Sequence, residues 1–283
     1  MAYSTTSYYV GNTLINQSFL GDQSVFINPN NTFQYGFRND PYSASLVLAL
    51  PLSYFPSLGM SSETSDVHKQ INTAGSANYT ISTLGTAGNT YASSSIVKFP
   101  NDGYTQSYVT KLNGALTAPN NTEFSMGSDA FTVEGWIYCP SGTPTSTFYW
   151  KYVAGNPATS EILYDYQSGA SRYALDYGTS GECFNNSGTS TFSNGTWYHF
   201  AFSRTAVVGG TGGVISVYFN GVRVSLSSCV QTINTTSTVP QFIGYSGGSN
   251  STNAFQDYRI YKGVAKYSGA TITPPESIIY KVY

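Results

Sequence analysis

Between Phe131 and Cys139 the chain reads Phe-Thr-Val-Glu-Gly-Trp-Ile-Tyr-Cys. In an extended chain successive side chains point to opposite faces. Phe131, Val133, Ile137 and Cys139 therefore share one face with Gly135, and Thr132, Glu134, Trp136 and Tyr138 share the other. A strand that is apolar or aromatic on both faces has to lie between two layers. The run Phe255–Lys262 alternates in the same way, with Phe255, Asp257, Arg259 and Tyr261 expected on one face and Gln256, Tyr258 and Ile260 on the other. Gly263 ends that strand, Val264–Tyr267 reads as one short turn, and Pro274-Pro275 stops any regular continuation.

The remaining punctuation extends this pattern. In Ile215–Val224 the pair Asn220-Gly221 supplies the two positive-φ positions of a type I′ turn, which predicts a tight hairpin. Further strands are expected at Leu46–Leu50, Tyr149–Val153, Glu161–Tyr166, Arg172–Asp176, Tyr198–Ser203 and Gln241–Tyr245, separated by Gly, Ser, Asn and Pro. No segment holds a helical period beyond two turns. The fold class expected is all-β, two antiparallel sheets packed face to face, with Phe131, Trp136, Trp197, Phe200, Phe219 and Ile260 in buried layers.

Five runs, taken in order, resemble the laminin-G-like domains that share the concanavalin A jelly roll. They are Asn39–Leu52, Asn121–Pro140, Gly195–Arg204, Ile215–Val224 and Phe255–Pro275. The Lys-Gly-Val-Ala-Lys-Tyr corner at Lys262–Tyr267 is similar to the version found in bacteriophage virion proteins. The resemblance places a jelly-roll sandwich at residues 39–276, preceded by an arm or hairpin at 1–38 and followed by a tail at 277–283. It implies a virion structural protein, either a capsid decoration or a tail-appendage subunit, whose sandwich is a candidate for binding host surface glycans. The alternative is a free or surface-attached lectin-like adhesion module. The virion reading implies a protein made in the host cytoplasm and carried on the particle surface, with itself (a homotrimer) and other virion proteins as partners.

Composition agrees with such packing. Only 9% of residues are charged, while Tyr numbers 25 and Phe 16, so hydroxyls and amides must solvate the surface. The 12 Lys and Arg are scattered and the net charge is -2; binding nucleic acid, which needs clustered cations against phosphates, is not expected. No stretch approaches the roughly 18 apolar residues of a membrane span, and residues 1–11 lack the basic and apolar regions of a secretory signal. Three cysteines, Cys139, Cys183 and Cys229, cannot close a disulfide framework; either Cys183 pairs with Cys229 or all three are buried thiols.

Catalysis is not expected. A glycosidase needs two carboxylates flanking a cleft, and the Glu-x-Asp-x-x-Glu run of hydrolases with this fold is absent. Glu134 stands alone on its strand, Glu161 and Asp165 are spaced too far along one strand, and Asp176 and Glu182 flank a turn. No Ser-His-Asp order appears, and His199, within a strand, reads as a hydrogen-bonded structural residue. The resemblance implies calcium in some relatives, with Asp102, Asp129, Asp165 and Asp257 as candidate ligands. None lies in a dense acidic loop, and Asp257 and Arg259 read as a local pair, so no cofactor is expected.

Two binding elements remain. Tyr245, Asn250 and Asn253 in the loop Tyr-Ser-Gly-Gly-Ser-Asn-Ser-Thr-Asn suit a sugar platform, as an aromatic face stacks on a pyranose and amides bind its hydroxyls; in a chain so rich in Tyr, the same pattern also arises from composition alone. Leu14, Ile15, Phe19, Leu20, Val25, Phe26 and Ile27 are the apolar positions of a polar arm. That arm buries too little of itself to offset its own ordering entropy, which points to assembly against another subunit.

Overall fold

The computed structural model describes side chains over residues 36–55, 58–82, 98–99, 116–138, 193, 195–208, 213–224 and 254–278, and the backbone of the other strands named below. The chain begins with β1 (Ser4–Val10), β2 (Thr13–Leu20) and β3 (Gln23–Ile27), an antiparallel meander that forms a sheet of its own. Then come β4 (Gln34–Phe37), β5 (Leu46–Leu50), the single turn α1 (His68–Ile71), β6 (Ser82–Gly85), β7 (Asn89–Ala92), β8 (Tyr108–Lys111), β9 (Gly114–Thr117) and β10 (Phe131–Cys139). The second half carries β11 (Thr147–Lys151), β12 (Ile162–Gln167), β13 (Arg172–Asp176), β14 (Glu182–Phe184), β15 (Thr196–Arg204), β16 (Ile215–Phe219) and β17 (Val222–Val224). It closes with β18 (Gln241–Ile243), β19 (Ala254–Lys262) and β20 (Ile279–Val282).

Two antiparallel sheets make the sandwich. The larger runs β17-β16-β15-β10-β19-β8-β7, with β5 also on β19; the smaller runs β14-β13-β12-β11-β18-β9-β6. β10 sits at the centre of the larger sheet, paired with β15 on one side and β19 on the other. Its two-faced sequence is used as expected. Phe131, Val133 and Ile137 enter the core between the sheets with Leu48, Leu50, Leu116, Phe200, Phe202, Phe255 and Ile260. Trp136 points to the opposite, outer face and packs with Leu46, Ala49, Phe55, Phe99, Tyr261 and Ile278. Each fully buried Phe or Ile stabilises the fold by about 1.5–3 kcal/mol.

The hairpin at Asn220-Gly221 forms as expected, with φ of 45° and 85° and Phe219 opposite Val222. Two local readings are corrected. Val264–Tyr267 runs as irregular chain without a turn. Phe255 does not share a face with Arg259 and Tyr261, because β19 carries a bulge: Asp257 has φ 51°, and Asp257 and Tyr258 together oppose the single residue Gly135. The extra residue reverses the alternation, so Phe255, Tyr258 and Ile260 all enter the core. Gly135 permits the close approach, since a Cβ there would lie 3.3 Å from Tyr258 Cα and 3.1 Å from the Phe200 ring.

The outer face of the larger sheet is covered by the segments on either side of the sandwich. β4 pairs with β20, Arg38 donates its backbone N–H to Ile278 O at 2.8 Å, and Val67 N–H donates to Ala49 O at 2.9 Å.

Candidate binding face

On that outer face the sheet carries charge where a core would carry hydrocarbon. Glu134 accepts from Lys266 Nζ at 2.7 Å, from the Tyr261 hydroxyl at 3.1 Å and from the Tyr267 hydroxyl, with Arg38 at 3.5 Å. Asp257 receives Arg259 Nε at 3.0 Å and Arg38 Nη1. Asp40 receives Arg259 Nη1 at 3.0 Å and the Tyr261 hydroxyl. Three carboxylates thus meet three cations within a layer where all but Arg38 are at most 7% exposed. The positive φ of Asp257, which an L-residue adopts at a cost, is held by these two arginines and by its own N–H donating to Pro51 O at 2.9 Å.

Burial by itself would raise the pKa of Glu134, but Lys266 and Arg38 outweigh it and hold the carboxyl well below the usual range. Asp257 is lowered in the same way, burial being overcome by Arg259 and Arg38. Burial, reinforced by Glu134, raises Tyr261 and Tyr267.

His199 lies in the same layer and departs from expectation. Neither ring nitrogen has a hydrogen-bond partner; the ring instead meets Trp136 edge-on at 5.3 Å between centroids. Burial pushes its pKa down to about 4, so the imidazole is neutral at pH 7. The unfolded chain binds this proton first, near pH 6.5, so the stability His199 contributes is complete above about 6.5 and is lost as pH falls towards 4. Glu134 and Asp257 follow, their contribution present above about 4 and lost below it. The thermal midpoint should decline in two steps on acidification, and His199→Phe should remove the first step only. A single step below pH 4 in the wild type would show that the ring is solvated.

A second polar line joins α1 to the loop before β10. Asp66 Oδ2 meets His68 Nδ1 at 2.7 Å, His68 Nε2 meets Ser76 Oγ at 3.1 Å, and Ser76 donates to Glu123 Oε2 at 2.7 Å. The sequence order suggested no such series, yet the fold assembles Asp, His and Ser in space. Ser76 Oγ thus lies between the His68 imidazole and the Glu123 carboxylate, which also accepts from the Tyr79 hydroxyl. Asp66 further accepts from Ala49, His68 and Tyr79 backbone N–H groups at 2.9–3.1 Å, which ties the 60–80 loop to β5.

Beside the charged layer opens a cavity of about 420 Å³ lined by Lys98, Phe99, Trp136, Thr273, Pro274, Pro275 and Glu276. Its walls are pinned separately. Gln256 Oε1 accepts from the N–H groups of Lys98 and Phe99 at 2.9 and 3.3 Å, while its Nε2 donates to Ser53 Oγ at 2.8 Å. The proline wall is held where Ile272 N–H donates to Gly221 O at 2.7 Å. Lys98 Nζ sits 4.1 Å over the Trp136 ring, and Phe99 meets that ring edge-on at 5.7 Å.

Of the residues singled out from sequence, Tyr245, Asn250 and Asn253 lie outside the described residues, as do Glu161, Asp102 and Cys229. Asp176 and Glu182 are directly opposite across β13 and β14, and Asp165 lies in β12 opposite Ala174. Leu14, Ile15, Phe19 and Leu20 fall in β2, and Val25, Phe26 and Ile27 in β3. Asp257 does pair with Arg259, and with both oxygens on arginines it is no cation ligand; Asp129 is exposed, 3.9 Å from Lys262. Among the described residues no cluster of three His, Cys, Asp or Glu could hold a metal. Arg38, Asp40, Lys98, Lys266 and Glu276 were not singled out, and isolated charges 219 residues apart give no local signal of pairing.

The family model described as "Concanavalin A-like lectin/glucanases superfamily" matches residues 109–266. No curated protein matches. Among solved structures the chain is similar to Domain 4 of AbnA, a GH43 extracellular arabinanase from Geobacillus stearothermophilus, in complex with arabinotriose. The identity is 18% over 67% of this chain and 84% of that one, with a TM-score of 0.49. It is similar to the binding domain of Paraclostridial Mosquitocidal Protein 1 at 13% identity, over 79% of this chain and 50% of that one, with a TM-score of 0.50. It is also similar to the botulinum neurotoxin serotype D binding domain at 13% identity, over 80% of this chain and 50% of that one, with a TM-score of 0.49. The chain thus spans about half the length of the two toxin domains. At these identities the likeness is one of fold.

Proposed function

We propose that this chain, which belongs to the concanavalin A-like lectin/glucanase superfamily, is a non-catalytic binding module on a bacteriophage virion surface, as a capsid decoration or tail-appendage subunit that recognises host surface glycans. The observation that carries the binding reading is the pinned cavity beside Trp136, whose aromatic and proline walls and few polar groups have the make-up of a small-ligand site. The same fold serves as the binding domain of Paraclostridial Mosquitocidal Protein 1. A non-catalytic role is supported by chemistry: the buried carboxylates Glu134, Asp257 and Asp40 are committed to cations.

The attachment reading rests on β1–β3, which pair only with one another among the described strands. A three-stranded antiparallel sheet draws its stability from a hydrophobic face, and a neighbouring subunit in a symmetric assembly, a homotrimer first, is the natural cover for that face. A free or surface-attached lectin-like adhesion module is the alternative, and particle association separates the two. A deletion should end at residue 33, because one ending at 38 would remove Arg38 and its ion pairs with Glu134 and Asp257.

The test has two arms. Purified chain is applied to a glycan array and to the same glycans in solution with product analysis; retention without cleavage is expected, and turnover of any glycan would refute the non-catalytic reading. The chain lacking residues 1–33 is then supplied to particles grown without the full-length protein. It should fold and fail to incorporate; normal occupancy would move the assembly contacts to the sandwich.

A further inference from the structure

Within the charged layer Lys266 stands between two buried carboxylates, its Nζ 2.7 Å from Glu134 Oε1 and 3.9 Å from Asp40 Oδ2. The lysine is fixed at both ends. Its backbone N–H donates to Thr132 Oγ1 at 3.0 Å, and its ammonium lies 4.0 Å over the Tyr261 ring. Asp40 is held as closely: Oδ1 accepts from the Tyr42 backbone N–H at 2.9 Å, and Oδ2 from Arg259 Nη1 at 3.0 Å and from the Tyr261 hydroxyl. That hydroxyl also lies 3.1 Å from Glu134 Oε1. A hydrogen-bonded line thus runs from Lys266 Nζ through Glu134 and Tyr261 to Asp40 Oδ2.

An amine and a carboxyl held side by side away from water, with a proton path between them, are the parts of an amide-forming site. We propose that Lys266 and Asp40 condense into an intramolecular amide, with Glu134 as the proton carrier. Two of the three ammonium protons leave Nζ by way of Glu134 and Tyr261 and reach Asp40 Oδ2. Nζ forms the bond to Cγ, and the Cγ–Oδ2 bond breaks. The third proton stays on the amide nitrogen and Oδ2 departs as water, so an ammonium and a carboxylate become an amide and a water with no other reactant. The Tyr42 N–H meets the negative charge that gathers on Oδ1 during attack, and Arg259 meets that on the departing oxygen. Condensation also removes two buried charges, whose desolvation costs the fold stability. Asp40 follows β4 and Lys266 follows β19, so the amide closes a loop around nearly the whole sandwich and restricts the unfolded chain as a disulfide does. It forms once per chain and turns over no substrate, and glycan retention neither requires it nor reports on it.

The full chain is purified, unfolded and weighed by intact-mass spectrometry, then digested and its peptides mapped. The wild type should be lighter than its sequence by one water, and the peptides carrying Asp40 and Lys266 should appear only as a joined pair. Lys266→Arg and Asp40→Ala should restore the full mass. Glu134→Gln and Tyr261→Phe, which cut the proton line and keep both reacting groups, should leave most of the chain unjoined at purification, since acid–base groups of this kind contribute about 10²–10⁴-fold. A wild type of full mass with the two peptides separate would overturn the assignment outright, and that reading needs no variant to fold. A loss of one water mapped to Lys266 and Glu134 would overturn the choice of Asp40. Joining undiminished in Glu134→Gln would overturn the role of Glu134.

Discussion

Replacing Glu134 with alanine should destabilise the domain by about 3–5 kcal/mol, the usual effect of removing one partner from a buried ion pair. The reason lies in what is left behind. Lys266, 7% exposed, would lose its 2.7 Å partner and keep only Asp40 at 3.9 Å, and the Tyr261 and Tyr267 hydroxyls would each lose an acceptor. The layer would then hold three cations against two carboxylates in a region shielded from water. Urea titration should show the midpoint falling by about 1–2 M for a slope near the upper end of the usual 1–3 kcal/mol/M. Lys262→Ala supplies the comparison, because its 3.9 Å pair with Asp129 is open to solvent and such pairs are worth about 0–1 kcal/mol. If the two variants lost similar stability, the buried layer would be three weak pairs and not a network.

This layer marks the boundary of what local sequence can reveal. The two-faced strand Phe131–Cys139 was legible because alternation is a property of the strand itself, and the Asn220-Gly221 hairpin because a type I′ turn demands positive φ at two adjacent positions. The bulge at Asp257 was not. Nothing in Phe-Gln-Asp-Tyr-Arg signals a slip, and most of what holds it is remote: a glycine opposite, a carbonyl on Pro51 and Arg38, which joins the strand's own Arg259 on the Asp257 carboxylate. His199 was read as hydrogen-bonded because a strand histidine usually finds a partner, whereas here the ring is packed against Trp136. Trp136 itself was recognised as buried, but the cavity over it exists only because residues 98–99 and 273–276 converge on the outer face. Composition groups residues 34–38 with the arm, and it gives no sign that β4 pairs with β20 or that Arg38 reaches Glu134 and Asp257 on the large sheet, contacts between residues far apart in the chain.

The same long-range logic makes Gly221→Ala the most informative single change away from the charged layer. Gly221 has φ 85°, and a Cβ built on it would lie 2.5 Å from Ile272 O and 3.2 Å from Pro274 Cδ. Gly263 has a similar φ of 87° with nothing within 4 Å of the corresponding position. Gly263→Ala therefore measures backbone strain alone, about 1–2 kcal/mol. Gly221→Ala adds a clash with a backbone oxygen that cannot rotate away, a further 1–3 kcal/mol by analogy with overpacking, for a total of about 2–5 kcal/mol. To relieve the clash the 270–274 segment must move outward. That movement breaks the 2.7 Å bond from Ile272 N–H to Gly221 O and the 3.0 Å bond from Arg223 N–H to Ala270 O. Because Pro274 and Pro275 line the cavity, ligand affinity should fall with stability in Gly221→Ala and stay at the wild-type value in Gly263→Ala. Calorimetric titration of both variants beside their denaturation curves separates the cases. Equal losses of stability in the two would mean that the hairpin tip and the proline segment are not in contact, and with that contact would go the rigid wall on which the site depends.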